Sequence, residues 1–248
     1  MIEVRDLHKS FGRQSVLSGV SLKIETGERV VVIGRSGGGK SVLLKHLIGL
    51  TRPDSGEVFV DGQNIVPMNE RQLLEVRRKF GMLFQGAALF DSLTVAENVG
   101  FRLLRDRKWS AREIQDKVRE ALAMVDLEGT QEKKPAELSG GMRKRVGLAR
   151  AIIYQPQIIL YDEPTTGLDP IAADSIDHLI IRISDRLNIT SIAVTHDMRS
   201  ASRIGQRIFL LHQGRVHISA TPDELFKSED PVVHRFVNGI SDPKEHEF

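Results

Sequence analysis

Four apolar residues, Val30-Val31-Val32-Ile33, run directly into Gly34-Arg35-Ser36-Gly37-Gly38-Gly39-Lys40-Ser41 and then into a helical stretch over about residues 40–50. A continuously apolar strand of this kind belongs to a parallel sheet covered on both faces. The loop that follows has the G-x-x-x-x-G-K-[ST] spacing. Its glycines permit unusual φ angles and bring several backbone N–H groups within reach of phosphate oxygens. The helix starting near Lys40 adds its positive N-terminal end. On this reading Lys40 reaches the β- and γ-phosphates of a nucleotide, and the Ser41 hydroxyl binds Mg²⁺. A strand–loop–helix unit of this kind requires an α/β core.

With 248 residues the chain suits one large α/β domain with a sizeable core, or two small ones. A formal net charge of only +2 gives no strong electrostatic case for a nucleic-acid or acidic-membrane partner. The sequence has no cysteine, which excludes disulfides, thiolate nucleophiles and thiolate zinc sites. Its start, Met1-Ile2-Glu3-Val4-Arg5-Asp6, lacks the basic and apolar regions of a signal peptide. Its apolar runs fall far short of the roughly 20 residues a membrane helix needs. The expectation is a cytoplasmic protein that serves a membrane only by docking to another subunit.

Strands are expected at residues 2–5, 21–24, 29–33, 58–60 and 80–84, with Asp61-Gly62 as a tight hairpin turn. Residues 94–153 read as mostly helical, broken near Trp109 and at Pro135. Strands return at 158–161 and 191–195 around a helix over 171–187, and residues 208–219 read as a second hairpin turning at Gln213-Gly214. Thr221-Pro222 caps a short helix. Residues 228–248 suggest another short helix and a frayed end. The strands thus flank a helical insertion.

Several further residues carry candidate chemistry. Asp162 and Glu163 end an apolar strand, where ligands bind in open α/β sheets. Asp162 would hold Mg²⁺ through water, and Glu163 would deprotonate the attacking water as general base. The bland alternative is a surface acidic turn after a core strand. His196 follows another apolar strand and Gln85 follows the strand ending at residue 84; alone, the first reads more readily as a structural histidine and the second as a solvated loop amide. Leu138-Ser139-Gly140-Gly141-Met142 precedes a helix, either as a second anion-binding N-terminus or as an ordinary serine cap.

Taken in order, the loop, Gln85, residues 138–142, Asp162-Glu163, Gly167-Leu168-Asp169-Pro170 and His196 resemble the ABC ATPases over residues 1 to about 227. That resemblance implies a P-loop NTPase (RecA-like) α/β core with an antiparallel β subdomain and an inserted α-helical subdomain at about residues 92–153, followed by a short tail at 228–248. It implies a head-to-tail homodimer in which Ser139, Gly140 and Gly141 act on ATP held by the partner's phosphate loop. Gln85 would sense Mg²⁺ and water, Asp169 would lie at the dimer interface, and His196 would contact the γ-phosphate. Phe11 aligns with the aromatic that stacks on adenine, a packed strand-end phenylalanine being its alternative.

Residues 83–95 and 138–146, with Met142 where glutamine is usual, resemble the Mla-type ATPases of Mce-associated lipid transporters, as do residues 230–239. This implies an integral-membrane permease of the Mce-associated, MlaE-like kind, with a STAS-domain protein and lipid-binding Mce subunits as further candidate partners. Only nine residues follow Gly239, short for a tail that exchanges across a dimer. The basic clusters Arg77-Arg78-Lys79 and Arg102, Arg105, Arg107, Lys108 read as solvated helix faces or as contacts with the permease or anionic headgroups. The rival reading is an ATPase importing amino acids or another polar solute. A non-transport ABC module in DNA repair or translation usually carries coiled-coil insertions or a second ATPase domain, for which this length has no room.

Overall fold

Strands β1 (Ile2–Phe11) and β2 (Gln14–Ile24) form an antiparallel hairpin with Ile2 opposite Ile24 and Val4 opposite Leu22. Both are longer than the apolar pattern suggests. Register shifts around Asp6 and Lys9 interrupt the period-two alternation, so the distal halves read as polar loop. Asp6 has φ 46° and its N–H donates to Ser21 Oγ at 2.9 Å. Next come β3 (Arg29–Ile33), helix α1 (Lys40–Leu47), β4 (Ser55–Val60) and β5 (Gln63–Asn64). The sheet order is β2-β1-β4-β5, and Asp61 and Gly62 both have positive φ, as the expected two-residue turn requires.

The computed structural model describes residues 1–106 and 108–241. They form two compact units: Met1–Ile24, Arg29–Val66 and the chain from Val194 onward make the first, Glu25–Glu28 and Pro67–Ala193 the second.

The second unit opens with α2 (Glu70–Arg77), which the apolar pattern does not announce: only Leu73 and Val76 are buried. Its start is set by a capping box in which Asn69 accepts from the Gln72 N–H and Gln72 reaches back. Then follow β6 (Phe80–Leu83), α3 (Val95–Asp106), α4 (Ala111–Met124) and α5 (Gly140–Ile152). Another capping box, Ser110 with Glu113, restarts the helix after Trp109, and a 3₁₀ turn at Pro135–Glu137 makes the second break. Strand β7 (Ile158–Asp162) pairs in parallel with β6, Phe80 opposite Ile158. Helix α6 (Pro170–Leu187) leads to β8 (Thr190–Thr195), which lies on the other side of β7.

Helix α5 approaches β6 so closely that a Cβ at Gly81 would lie 2.5 Å from the Ala151 carbonyl oxygen. Backbone on both sides leaves no flexible atom to yield. Gly81→Ala is therefore expected to destabilise the fold by about 1–3 kcal/mol. Thermal unfolding checks this, and an unchanged midpoint contradicts the packing.

The chain returns to the first unit through α7 (Met198–Ile204), β9 (Arg207–His212) and β10 (Arg215–Ala220). β9 is parallel to β3, with Ile33 opposite Leu210, and β10 is antiparallel to β9. Short helices α8 (Pro222–Phe226) and α9 (Pro231–Val237) follow, capped by Thr221 and Asp230. The expected tail helix is α9; residues 242–248, where a frayed end was expected, lie outside the described residues. Among the described residues no helix is long and apolar enough to cross a membrane.

Candidate functional site

In the first unit, strand β3, buried from Val30 to Ile33, delivers the chain into Gly34–Ser41. A Cβ at Gly34 would sit 2.5 Å from the Leu211 carbonyl oxygen, so only glycine lets the loop leave between β3 and its neighbour β9. Gly39 caps α1 with φ 97°, a left-handed conformation that costs a side chain dearly. Its missing Cβ also leaves room for Val16 and Leu17 of β2. Arg35 and Ser36 are exposed on the outer bend, and the Gly38 N–H closes a turn onto Arg35 O at 3.0 Å. Lys40 is only 5% exposed, and its ammonium donates to Gly34 O at 2.7 Å and Arg35 O at 3.0 Å. The cation thus sits against the curve of the loop, at a helix start with no acidic residue in its first turn. Such a place favours anions.

Phe11 ends β1 and is 52% exposed, with the Lys9 ammonium 5.5 Å from its ring centroid. His196 stands exposed at the end of β8. Its neighbour Asp197 caps α7 by accepting from the Arg199 N–H at 2.8 Å, which fixes the backbone around the histidine.

The second unit holds the other expected residues. Asp162 is the last residue of β7, and Glu163 follows with φ 48°, an uncommon conformation for a residue with a side chain. Glu163 is 8% exposed, its Oε2 accepting from the Thr166 hydroxyl at 3.0 Å. Gln85 is exposed in the turn after β6. Ser139 caps α5, its Oγ accepting from the Met142 N–H at 3.2 Å, so the serine-cap alternative describes its geometry. A cap of this kind is compatible with anion binding, because other first-turn N–H groups remain at the same terminus. A Cβ at Gly140 would lie 3.2 Å from Leu168 and one at Gly141 3.8 Å from Ala172. That places the 139–141 segment beside the 167–170 loop, where exposed Asp169 caps α6 by accepting from the N–H groups of Ile171 and Ala172.

Two residues that sequence reasoning passed over hold this arrangement. The Lys144 ammonium donates to the backbone carbonyls of Gln85 and, at 3.2 Å, of Glu163. Arg150 donates to the carbonyls of Ala87 at 2.6 Å and Ala88 at 2.7 Å, two residues with positive φ in the turn after Gln85. Burial pushes the Lys144 ammonium below the usual lysine value, against the pull of the Asp162 and Glu163 carboxylates. The signal was a charge on the buried face of α5, where Val146, Leu148, Ala149 and Ile152 are also buried.

The basic clusters are largely engaged within the second unit. Arg77 pairs with Glu70 and Arg78 with Glu75, each at 2.8 Å. Arg102 lies over the Tyr154 ring at 4.3 Å, and Arg105 over Phe101 at 5.0 Å. Lys108 is exposed, Arg107 lies outside the described residues, and the half-buried Trp109 ring carries Lys117 at 4.4 Å.

A glycine-rich loop between a parallel strand and a helix, with a buried lysine in it, defines a P-loop NTPase. A family model described as ABC transporter matches residues 17–166. The probable ribonucleotide transport ATP-binding protein mkl of Mycobacterium tuberculosis is 43% identical over 96% of this chain and 66% of its own length. This chain therefore spans just under two thirds of that relative. The intermembrane phospholipid transport system ATP-binding protein MlaF of Haemophilus influenzae is 38% identical over 98% of this chain and 92% of its own. The methionine import ATP-binding protein MetN of Carboxydothermus hydrogenoformans is 41% identical over 97% of this chain and 72% of its own. Among solved structures, an ATP-binding cassette in a dimeric post-hydrolysis state with ADP and Pi superposes with a TM-score of 0.82 at 34% identity, covering 90% of this chain and 99% of that one. The chain belongs to the ABC transporter family and carries its ATPase domain.

Proposed function

We propose that this chain is the ATP-hydrolysing subunit of an ABC transporter for lipids, phospholipids in particular, bound to the cytoplasmic face of the inner membrane through a permease. The observation that carries the lipid reading is the likeness to MlaF over nearly the whole of both chains. Met142 in the 138–146 stretch and the sequence after Gln85 point the same way. An Mce-associated, MlaE-like permease is the expected membrane partner, with lipid-binding Mce subunits and a STAS-domain protein as accessory subunits. Of the nine residues after Gly239 that would form a dimer-crossing tail, 242–248 lie outside the described residues.

In this reading Lys40 and the 34–41 backbone bind the phosphates of ATP, and Phe11 stacks on the adenine. Ser41, Asp162 and Gln85 offer hydroxyl, carboxylate and amide oxygens, the hard donors that Mg²⁺ takes, and the ion would neutralise charge on the phosphates. Glu163 accepts a proton from the attacking water, with Gln85 and His196 orienting that water and the γ-phosphate. Ser139, Gly140 and Gly141 bind the nucleotide of a second copy, and Asp169 lies at the interface so formed. ATP joins two weakly associating faces because its phosphates satisfy donors from both; hydrolysis removes that shared ligand and the dimer reopens. The permease converts closing and opening into movement of lipid.

Ser139→Arg tests the action in trans, because a long cation at the cap of α5 blocks approach to a second copy's nucleotide. ATP-driven dimerisation of a Glu163→Gln background, followed by light scattering, is expected to vanish. Mixing Ser139→Arg with Lys40→Ala chains should restore one intact composite site per heterodimer. Dimerisation unaffected by Ser139→Arg contradicts the arrangement.

The likeness to MetN favours a second reading, an importer of amino acids or other polar solutes. Affinity purification from the native membrane with mass spectrometry separates them. Co-purified Mce-type subunits and phospholipid support the first reading, and a solute-binding protein supports the second.

A further inference from the structure

Helix α5 begins at the Ser139 cap, and one turn further on it turns a lysine inward. Lys144 is 5% exposed, and its ammonium donates to two main-chain carbonyls. Burying an ammonium is costly unless its donors are satisfied, and a methionine of similar length fills such space without that cost. A buried cation spent on backbone carbonyls calls for a reason beyond packing.

The two carbonyls supply it. One belongs to Gln85, at the start of the exposed turn after β6, and the other to Glu163, just past the end of β7. Glu163 sits at φ 48°, a conformation that costs roughly 1–3 kcal/mol and persists only when its surroundings hold it. Its carbonyl is held twice, by Lys144 Nζ at 3.2 Å and by the Thr166 N–H at 3.3 Å. The turn after Gln85 also contains left-handed residues, Ala87 and Ala88, and Arg150 grips their carbonyls from the same helix. Arg150 thus holds the Gln85 turn alone, whereas Lys144 ties that turn to Glu163.

We propose that Lys144 is a positioning residue for ATP hydrolysis, its ammonium bridging the Gln85 and Glu163 carbonyls so that the two side chains keep one fixed relation. The proposal rests on the reading of Glu163 as general base and Gln85 as the residue that orients water. In this proposal Lys144 acts through the Gln85 and Glu163 backbones rather than on the nucleotide. Its loss lets the Glu163 backbone relax from the left-handed region and lets the Gln85 turn drift, which lowers the rate of the chemical step. Phosphate binding by residues 34–41 is untouched.

The test is steady-state ATPase kinetics with the affinity of a fluorescent ATP analogue, on the full chain. Lys144→Met is expected to lower kcat by about 10- to 100-fold, the scale of losing hydrogen bonds from a charged donor. Analogue affinity and KM should stay within about threefold, the split expected when only the transition state suffers. Lys144→Arg, which keeps a cationic donor, should recover part of the lost kcat. If Lys144→Met is not recovered folded, Lys144→Gln, neutral and shorter, is measured in its place with the same split expected. A kcat within about twofold of wild type in the neutral variant overturns the proposal, as does a parallel loss of kcat and affinity that arginine does not relieve. Glu163→Gln is run alongside. If it hydrolyses ATP like wild type, the assignment of Glu163 fails and the proposal with it, a result distinct from a silent Lys144 substitution.

Discussion

Glu163→Gln is expected to bind ATP with wild-type affinity, to accumulate as a closed dimer, and to turn over about 10² to 10⁴ times more slowly. Glutamine has the shape of glutamate and keeps an oxygen to accept from the Thr166 hydroxyl, which in wild type donates to Glu163 Oε2 at 3.0 Å. The main-chain conformation at φ 48° is held through the carbonyl, which the substitution leaves unchanged. What disappears is the carboxylate, and with it the capacity to take a proton from water. Because the residue is 8% exposed, bulk water is a poor substitute for it. Single-turnover hydrolysis measures the rate, and light scattering with ATP measures the dimer. An unchanged rate removes Glu163 from the role of base.

Much of this arrangement is legible in the sequence because the residues that signal it act locally. Gly34 and Gly39 announce a loop that needs close approach and positive φ, and Val30–Ile33 announces the buried strand that carries it. Asp61-Gly62 and Gln213-Gly214 announce their hairpins by the same logic of positive φ. Helix α2 escapes the apolar pattern because only Leu73 and Val76 face inward, although Asn69 and Gln72 stand at capping-box spacing. Helix α7 escapes it because seven residues give too short a periodic signal. β1 and β2 read as shorter than they are because their register shifts break the alternation on which a strand reading depends.

What stayed hidden in the site is backbone chemistry. Lys144 and Arg150 act on carbonyls of Gln85, Glu163, Ala87 and Ala88, and a carbonyl has no residue type by which a sequence can advertise it. Their side chains looked like part of the basic run that begins at Arg143. Only the packing of α5 on β6, with Gly81 against Ala151, turns that face of the helix inward. The left-handed Glu163 is hidden for a similar reason, since glutamate carries no propensity for that region and tertiary contacts impose it.

Lys40→Ala should fail one step earlier, at binding. The Lys40 ammonium is 5% exposed and bonded to Gly34 O and Arg35 O, so it is held in the loop before any phosphate arrives. Hydrogen bonds to a charged partner contribute about 1.5–3 kcal/mol each, so losing one or two to phosphate should weaken ATP binding by roughly 10- to 10⁴-fold. The consequence is visible without any hydrolysis. A ligand at 100 times its Kd stabilises the folded state by about 2.7 kcal/mol, which for a chain of this size raises the unfolding midpoint by roughly 5–10 °C. Wild type and Glu163→Gln should both show that rise with ATP, while Lys40→Ala at the same concentration should show little or none. Its midpoint without nucleotide should also fall slightly, because the Gly34 and Arg35 carbonyls lose their bonds to the ammonium. A full ATP-dependent rise in Lys40→Ala would mean that the nucleotide is held elsewhere. The loss of that rise, with Glu163→Gln retaining it, separates phosphate binding, proposed for Lys40, from deprotonation of the attacking water, proposed for Glu163.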